Sequence, residues 1–196
     1  MISLRVLTPA DPADWPLWRD ARLAALAEAP YAFKRGLADW QSGGEALWRA
    51  RFAQSDALHV VAVLPDGRPV GLASGVPVPD GRPADGAEGG AAGGPAGGTV
   101  SELRSVWVGP EARGRGVGDR LIAAVEAWAR RSGSGALRLA VLPGNAAAVA
   151  LYRRNGFADA DEPGEPGKPG EPLAGGMTRE HVMVKQLTGV DGVAGP

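Results

Sequence analysis

The stretch from Val106 to Leu121 limits what this chain can become more than any other part of it. A segment that reads as a strand, Thr99 to Val108, passes through a turn holding Arg113, Gly114, Arg115, Gly116 and Gly118. It then enters a helical pattern from Arg115 to Arg131, with Val117, Leu121, Val125 and Trp128 on one face. A strand feeding an amphipathic helix through such a turn calls for a sheet with helices packed on it. Alternate glycines let the backbone approach a ligand, and the N–H groups of a helix's first turn, with the helix dipole, favour an anion. Arg113 and Arg115 add charge at the same point, so a phosphate or pyrophosphate is the natural occupant.

Two familiar phosphate loops do not fit the spacing. The dinucleotide fingerprint would start at Gly114 and Gly116 and needs a glycine at 119, where Asp119 stands. The nucleotide-triphosphate loop would start at Gly109 and Gly114 and then needs Lys and Ser or Thr, where Arg115 and Gly116 stand. What remains is the pattern R-x-x-G-x-G over Arg113 to Gly118. On its own it is also satisfied by a tight strand-to-helix connection.

Composition removes other classes. With 21 basic against 22 acidic residues, no overall charge draws the chain to nucleic acid or to a membrane surface, and any anion must be held by a local device. The absence of Cys excludes disulfide scaffolds, thiolate zinc sites, iron–sulfur clusters and a Cys nucleophile; two histidines make a multi-histidine metal site improbable, so no metal is expected. Neither a long apolar span nor a secretory leader is visible, and the chain reads as cytoplasmic. Glycine and proline concentrate at 79–98 and 161–176, which read as flexible loops with too few large apolar side chains to offset ordering their backbone. Residues 1–188 then form a single domain, with 189–196 as a tail.

The remaining periodicities are strands at Ile2–Leu7, Ala57–Leu64, Pro69–Val78, Thr99–Val108, Ala136–Leu142 and Glu180–Leu187. Helices are expected at Asp14–Glu28, Glu45–Gln54, Arg115–Arg131 and Asn145–Arg154. Asp66-Gly67 marks a hairpin turn. Hairpins in the first half and a β-α-β crossover in the second predict a mixed sheet flanked by helices. Trp15, Trp18, Trp40, Trp48 and Trp128 fall at helical positions and read as core, and His59 as a satisfied core or edge residue.

A second motif follows the first. Asn145 to Phe157 (NAAAVALYRRNGF) places Asn145 as a helix N-cap, Tyr152 two turns along the same face and Gly156 at the stop. Alone, Tyr152 reads equally well as an amphipathic surface tyrosine. Together, in this order, R-x-x-G-x-G and N-x-x-A-x-x-L-Y-x-x-x-G-F resemble the acetyl-CoA loop and the helix after it in the GCN5-related N-acetyltransferase (GNAT) family. The specific resemblance covers about residues 99–160.

That resemblance implies an α/β (α+β) fold. Its mixed, mostly antiparallel central sheet has six to seven strands and about four flanking helices, with a splay between strands 4 and 5. It implies acetyl-CoA as co-substrate. The backbone of Val106, Trp107 and Val108 would pair with the pantetheine arm, and the N–H groups from Arg113 through Gly114, Arg115, Gly116, Val117 and Gly118 would take the pyrophosphate. Asn145 and Ala148 would contact the cofactor from the second motif. Tyr152 corresponds to the family's general acid, and the Val108 N–H is the expected oxyanion donor.

Glu102 is the candidate general base; its alternative is a solvated strand residue. In relatives that acetylate ribosomal-protein N-termini, a glutamate base stands five residues before the capping asparagine, where this chain has Ala140, so it is not a close copy of those enzymes. Tyr31 and Phe33, in the stretch Glu28–Lys34, are candidate substrate contacts, with a hydrophobic packing corner as the alternative. His181 is a further candidate for the acceptor side. The activity implied is N-acetyl transfer to a primary amine of a small molecule or peptide, through a ternary complex. The family often forms dimers, so a homodimer is among the expectations. A catalytically silent acyl-CoA-binding module and a different acyl donor stay open.

Overall fold

Two runs of apolar residues joined by a five-residue turn organise the first half of the chain. In a computed structural model that describes residues 1–33, 37, 44–78, 99–142, 144–160 and 181–187, they form the hairpin β2 (Leu58–Val63) and β3 (Pro69–Val78). Leu64 N–H bonds the Arg68 carbonyl at 2.9 Å to close the turn at Asp66-Gly67. All six β2 residues are buried, which is why the sequence there shows an apolar run, interrupted only by His59, rather than an alternation. The chain divides into two compact units, Met1–Val76 with Leu103–Val125 and Pro77–Glu102 with Glu126–Pro196.

In the first unit β1 (Ser3–Leu7) pairs antiparallel with β2, and β2 antiparallel with β3. Helix α1 (Asp14–Glu28) buries Trp15, Trp18, Ala21, Ala25 and Leu26, a three-to-four spacing that forms one stripe. Helix α2 (Glu45–Phe52) adds Trp48 and Phe52, and these rings close on Val61, Leu72 and Trp107 in one apolar cluster. His59 lies inside it, 5.4 Å from the Trp18 ring and 5.3 Å from Phe52 between centroids. Its Nδ1 is 2.9 Å from Ser74 Oγ and its Nε2 3.3 Å from the Arg51 carbonyl. It is a satisfied core residue, as its apolar strand suggested.

Asp14 shows how α1 is anchored at its start. Its carboxylate, 4 % exposed, accepts from Thr8 N–H and from Arg5 Nη2, each at 2.9 Å. Arg5 is half exposed, so that ion pair is worth little; the Thr8 amide is the partner that matters. Asp14→Ala should therefore lower unfolding free energy by about 1–2 kcal/mol through the orphaned amide, read as an earlier midpoint in urea. An unchanged midpoint would mean water replaces the carboxylate.

Strand β4 (Val100–Val108) and helix α3 (Val117–Arg131) each run through both units. In the first unit Val117, Leu121, Ile122 and Val125 of α3 are buried. Ala129, not the expected Trp128, is the fully buried position of its last turn; Trp128 is half-buried.

In the second unit β4 pairs in parallel with β5 (Ala136–Val141), Val100 to Glu102 against Ala136 to Arg138. That ladder is short: β4 continues to Val108 and β5 to Val141 beyond it. Strand β7 (His181–Gln186) runs antiparallel to β5 and carries the two-residue β6 (Ala158–Asp159) on its other side. Helix α4 (Ala146–Arg154) lies between β5 and β6 in the chain.

The seven strands are ordered β1-β2-β3-β4-β5-β7-β6, a mixed and mostly antiparallel sheet with four helices among the described residues, as expected. The observed ends differ by one or two residues: α2 stops at Phe52, and α3 starts at Val117. Two 3-10 turns that the periodicity did not announce, Pro30–Ala32 and Pro110–Ala112, each begin at a proline, whose fixed φ suits a first helical position. The segments 79–98 and 161–176, the tail 189–196 and Trp40 lie outside the described residues.

Candidate functional site

The first unit carries the turn that the sequence singled out. Gly109 N–H bonds the Val70 carbonyl at 2.9 Å and so ties the end of β4 to β3. After the turn at Pro110–Ala112, Gly114 and Gly116 have φ of +70° and +69°. Open space surrounds the position of a Cβ at both, so backbone conformation rather than crowding demands glycine there. The Gly116 carbonyl accepts from Arg120 N–H at 3.1 Å, which makes Gly116 the residue that opens α3. The N–H groups of the next turn, beginning with Val117 and Gly118, have no intrahelical acceptor.

Arg115 is exposed beside this turn. Arg113 is used differently from the expectation that its side chain adds free charge. Its Nη2 lies 2.9 and 2.8 Å from the two Glu28 carboxylate oxygens, and its Nε donates to the Val108 carbonyl at 3.0 Å. The Trp107 indole N–H donates to the same Glu28 carboxylate at 3.0 Å. Glu28 thus joins the end of α1, the end of β4 and the glycine turn. Sequence reasoning placed Glu28 only at the edge of the acceptor stretch; its partners are 79 and 85 residues away, so no local signal identifies it.

Also in the first unit, Tyr31 is 67 % exposed. Phe33 is partly buried against the core cluster, with the Arg22 guanidinium 4.6 Å from its ring centroid. The two aromatics of that stretch therefore do different things: one faces solvent and the other covers a buried cation.

The second unit carries the other motif. Asn145 Oδ1 accepts from Ala148 N–H at 3.2 Å, which caps α4 as its position predicts. Asn145, Ala148 and Tyr152 follow one another at three and four residues and share a helix face. Tyr152 is 7 % exposed and packs edge-on against Phe157, centroids 5.9 Å apart. Burial pushes its hydroxyl pKa well above the ordinary tyrosine value. The phenol therefore keeps its proton at neutral pH. Glu102, half-buried, stands opposite Arg138 in the parallel ladder.

A cavity of about 500 Å³ opens beside the start of α4, lined by Leu142, Asn145, Val149, Arg153 and His181 among others. His181 Nε2 is 2.7 Å from Asp159 Oδ1, and Arg153 Nη2 is 3.0 Å from Asp159 Oδ2. His181 thus faces that cavity with its ring fixed by a carboxylate. Among the described residues no group of three or more His, Asp or Glu is placed to hold a metal ion, and no helix is long and apolar enough to cross a membrane.

Comparison with known proteins adds the family. A curated relative, the IAA acetyltransferase of Azospirillum brasilense, is 42 % identical over 62 residues, which span 32 % of this chain and only 40 % of that protein. A GCN5-related N-acetyltransferase from Kribbella flavida is 29 % identical with a TM-score of 0.57, covering 93 % of this chain and 97 % of its own. The PaiA N-acetyltransferase of Thermoplasma acidophilum, solved in complex with coenzyme A, shares the fold at 17 % identity, with a TM-score of 0.58 over 95 % of this chain and 99 % of that one. The family model for GNAT acetyltransferases matches residues 21–157, which include the turn at 113–118, its clasp at Glu28 and the helix of Asn145 and Tyr152. The chain belongs to the GNAT acetyltransferase family.

Proposed function

We propose that this chain transfers the acetyl group of acetyl-CoA to a primary amine of a small molecule or peptide, directly and without an acyl-enzyme. The observation that carries the reading is the turn from Arg113 to Gly118, where two left-handed glycines open a helix whose first N–H groups lack intrahelical acceptors. In this reading the pyrophosphate takes those N–H groups and Arg115. The pantetheine arm pairs with the backbone of Val106, Trp107 and Val108, strand to strand. The amide of Asn145, whose Oδ1 serves the helix cap, has its NH₂ left for the cofactor, beside Ala148.

The neutral amine attacks the thioester carbonyl, and the Val108 N–H stabilises the oxyanion that forms. The C–S bond then breaks, and Tyr152 gives its phenolic proton to the departing thiolate. The amine's surplus proton leaves through water to Glu102, the base we assign. A chain without Cys suits transfer within a ternary complex. We place the work in the cytoplasm, in a single domain over 1–188.

Calorimetric titration with acetyl-CoA and CoA tests the reading on the wild type and on Gly116→Trp. The wild type should bind in the micromolar range. The variant, forced to place a bulky side chain at φ +69° in the pyrophosphate seat, should lose at least ~100-fold in affinity, a penalty of roughly 3 kcal/mol. A wild type that binds neither ligand would sink the reading.

A further inference from the structure

Arg22 is a buried cation that meets no anion among the described residues of the first unit. It is 8 % exposed in the middle of α1. Its Nη1 donates to Ser105 Oγ at 2.9 Å, and its guanidinium carbon lies 4.6 Å from the Phe33 ring centroid and 5.7 Å from that of Trp48. Among the described residues no carboxylate meets it; the charge that acts on it is a second cation, Arg51. Burial, and then Arg51, pull its pKa down to about 10. Aromatic faces attract a guanidinium but take none of its in-plane N–H donors, of which there are five. Among the described residues one of the five is met, by Ser105 Oγ. A guanidinium this deeply set, with no carboxylate beside it, has its remaining donors open to water or to a ligand.

Ser105 points the same way. It is the one non-glycine residue with positive φ among those described, +57° in the run of β4. Serine gains nothing from that conformation, which costs on the order of 1 kcal/mol, and such strain collects where a ligand is handled. The strained residue gives Arg22 a neutral hydroxyl, so the guanidinium keeps its full charge for another partner. A flat fork of N–H donors between aromatic rings matches a planar monoanion better than a tetrahedral dianion.

We propose that Arg22 receives the carboxylate of the acceptor, so that the amine acetylated by this chain belongs to the amino-acid class, carrying an amine and a carboxylate in one molecule. The inference rests on the acetyl-transfer reading above and deepens it. Phe33, expected from sequence to contact substrate directly, acts instead as a wall of the carboxylate site through Arg22.

The test uses the full chain labelled with nitrogen-15, with the Arg22 Nε–H resonance assigned by its loss in Arg22→Lys. Benzoate should shift that resonance to saturation. Benzamide, of the same shape without the charge, should leave it unmoved, as should phosphate and chloride at equal ionic strength. No shift with benzoate overturns the proposal, and an equal shift with phosphate or chloride reduces the site to general anion attraction.

In parallel, thiol release from acetyl-CoA is compared between the pooled twenty amino acids and the pooled amino-acid amides. The acids should be turned over at least ~10-fold faster at equal concentration, since a charged hydrogen-bonded pair is lost with the amides. Arg22→Lys should lose that preference while its affinity for CoA stays within about twofold. Equal rates from both pools, or release from neither, overturn the amino-acid class. The outcomes separate from those of the acetyl-transfer reading. A chain that binds acetyl-CoA while benzoate leaves Arg22 unmoved loses only this inference, whereas a benzoate-saturable Arg22 in a chain that does not bind acetyl-CoA ends the acceptor role.

Discussion

Tyr152→Phe should lower kcat by roughly 10²–10⁴-fold, the usual contribution of a positioned general acid, while the affinity for acetyl-CoA stays within about twofold. The ring stays where it packs against Phe157, so the thermal midpoint should move little. Burial raises the Tyr152 pKa, which keeps the phenol protonated at neutral pH but makes it a weaker acid, so the loss of turnover and not the pKa tests the assignment. The pH profile of the wild type should accordingly show no alkaline fall from Tyr152 within the range the protein survives. If Tyr152→Phe turns over as fast as the wild type, the proton for the thiolate comes from elsewhere. If neither protein turns over although both bind CoA, the chain is a silent acyl-CoA-binding module.

The second large effect is on stability and comes from His59. Burial holds its pKa at about 4 in the folded chain against 6.5 when exposed, a shift that outweighs the opposing hydrogen bond to the Arg51 carbonyl. Between those values the unfolded chain binds more protons than the folded one. Stability is therefore complete above about pH 6.5 and falls as the pH drops towards 4, with a total loss of roughly 3 kcal/mol from this one group. Urea unfolding at pH 7, 6, 5 and 4.5 should trace that slope. His59→Phe keeps a ring against Phe52 but has nothing to protonate, so its stability, lower at pH 7 because Ser74 Oγ is left without its partner, should lose most of the slope over the same interval. An identical slope in both proteins would assign the acid sensitivity to other groups.

What could be read from the sequence was what depends on near neighbours along the chain. The Asn145 cap joins residues three apart, the glycine turn needs only the order of strand, turn and helix, and the hairpin is announced by Asp66-Gly67. All three stand in the fold as expected. The contacts that distinguish this chain are long-range. Arg22 meets Ser105 across 83 residues and Arg113 meets Glu28 across 85, and no periodicity encodes either. Arg22 looks from sequence like one more polar position of an amphipathic helix. A serine in a left-handed conformation cannot be anticipated, because serine has no preference for it. Trp128 fails for a simpler reason. It lies one residue from the buried Ala129, and on a helix one residue is a rotation of about 100°, enough to carry a side chain from the core to its margin.

The carboxylate of Glu28 serves the Trp107 indole and the Arg113 guanidinium at once. That sharing makes the end of α1 and the glycine turn thermodynamic partners. A ligand that displaces Glu28 frees the Arg113 charge beside the turn and raises affinity for an anion there. By the equality of coupling free energies, an anion on the turn that recruits Arg113 must then strengthen the first ligand by the same factor. Order of addition would affect rates and intermediates but not the affinity of the completed complex, so cooperativity between two substrates needs no large movement of the chain, only the exchange of one ion pair.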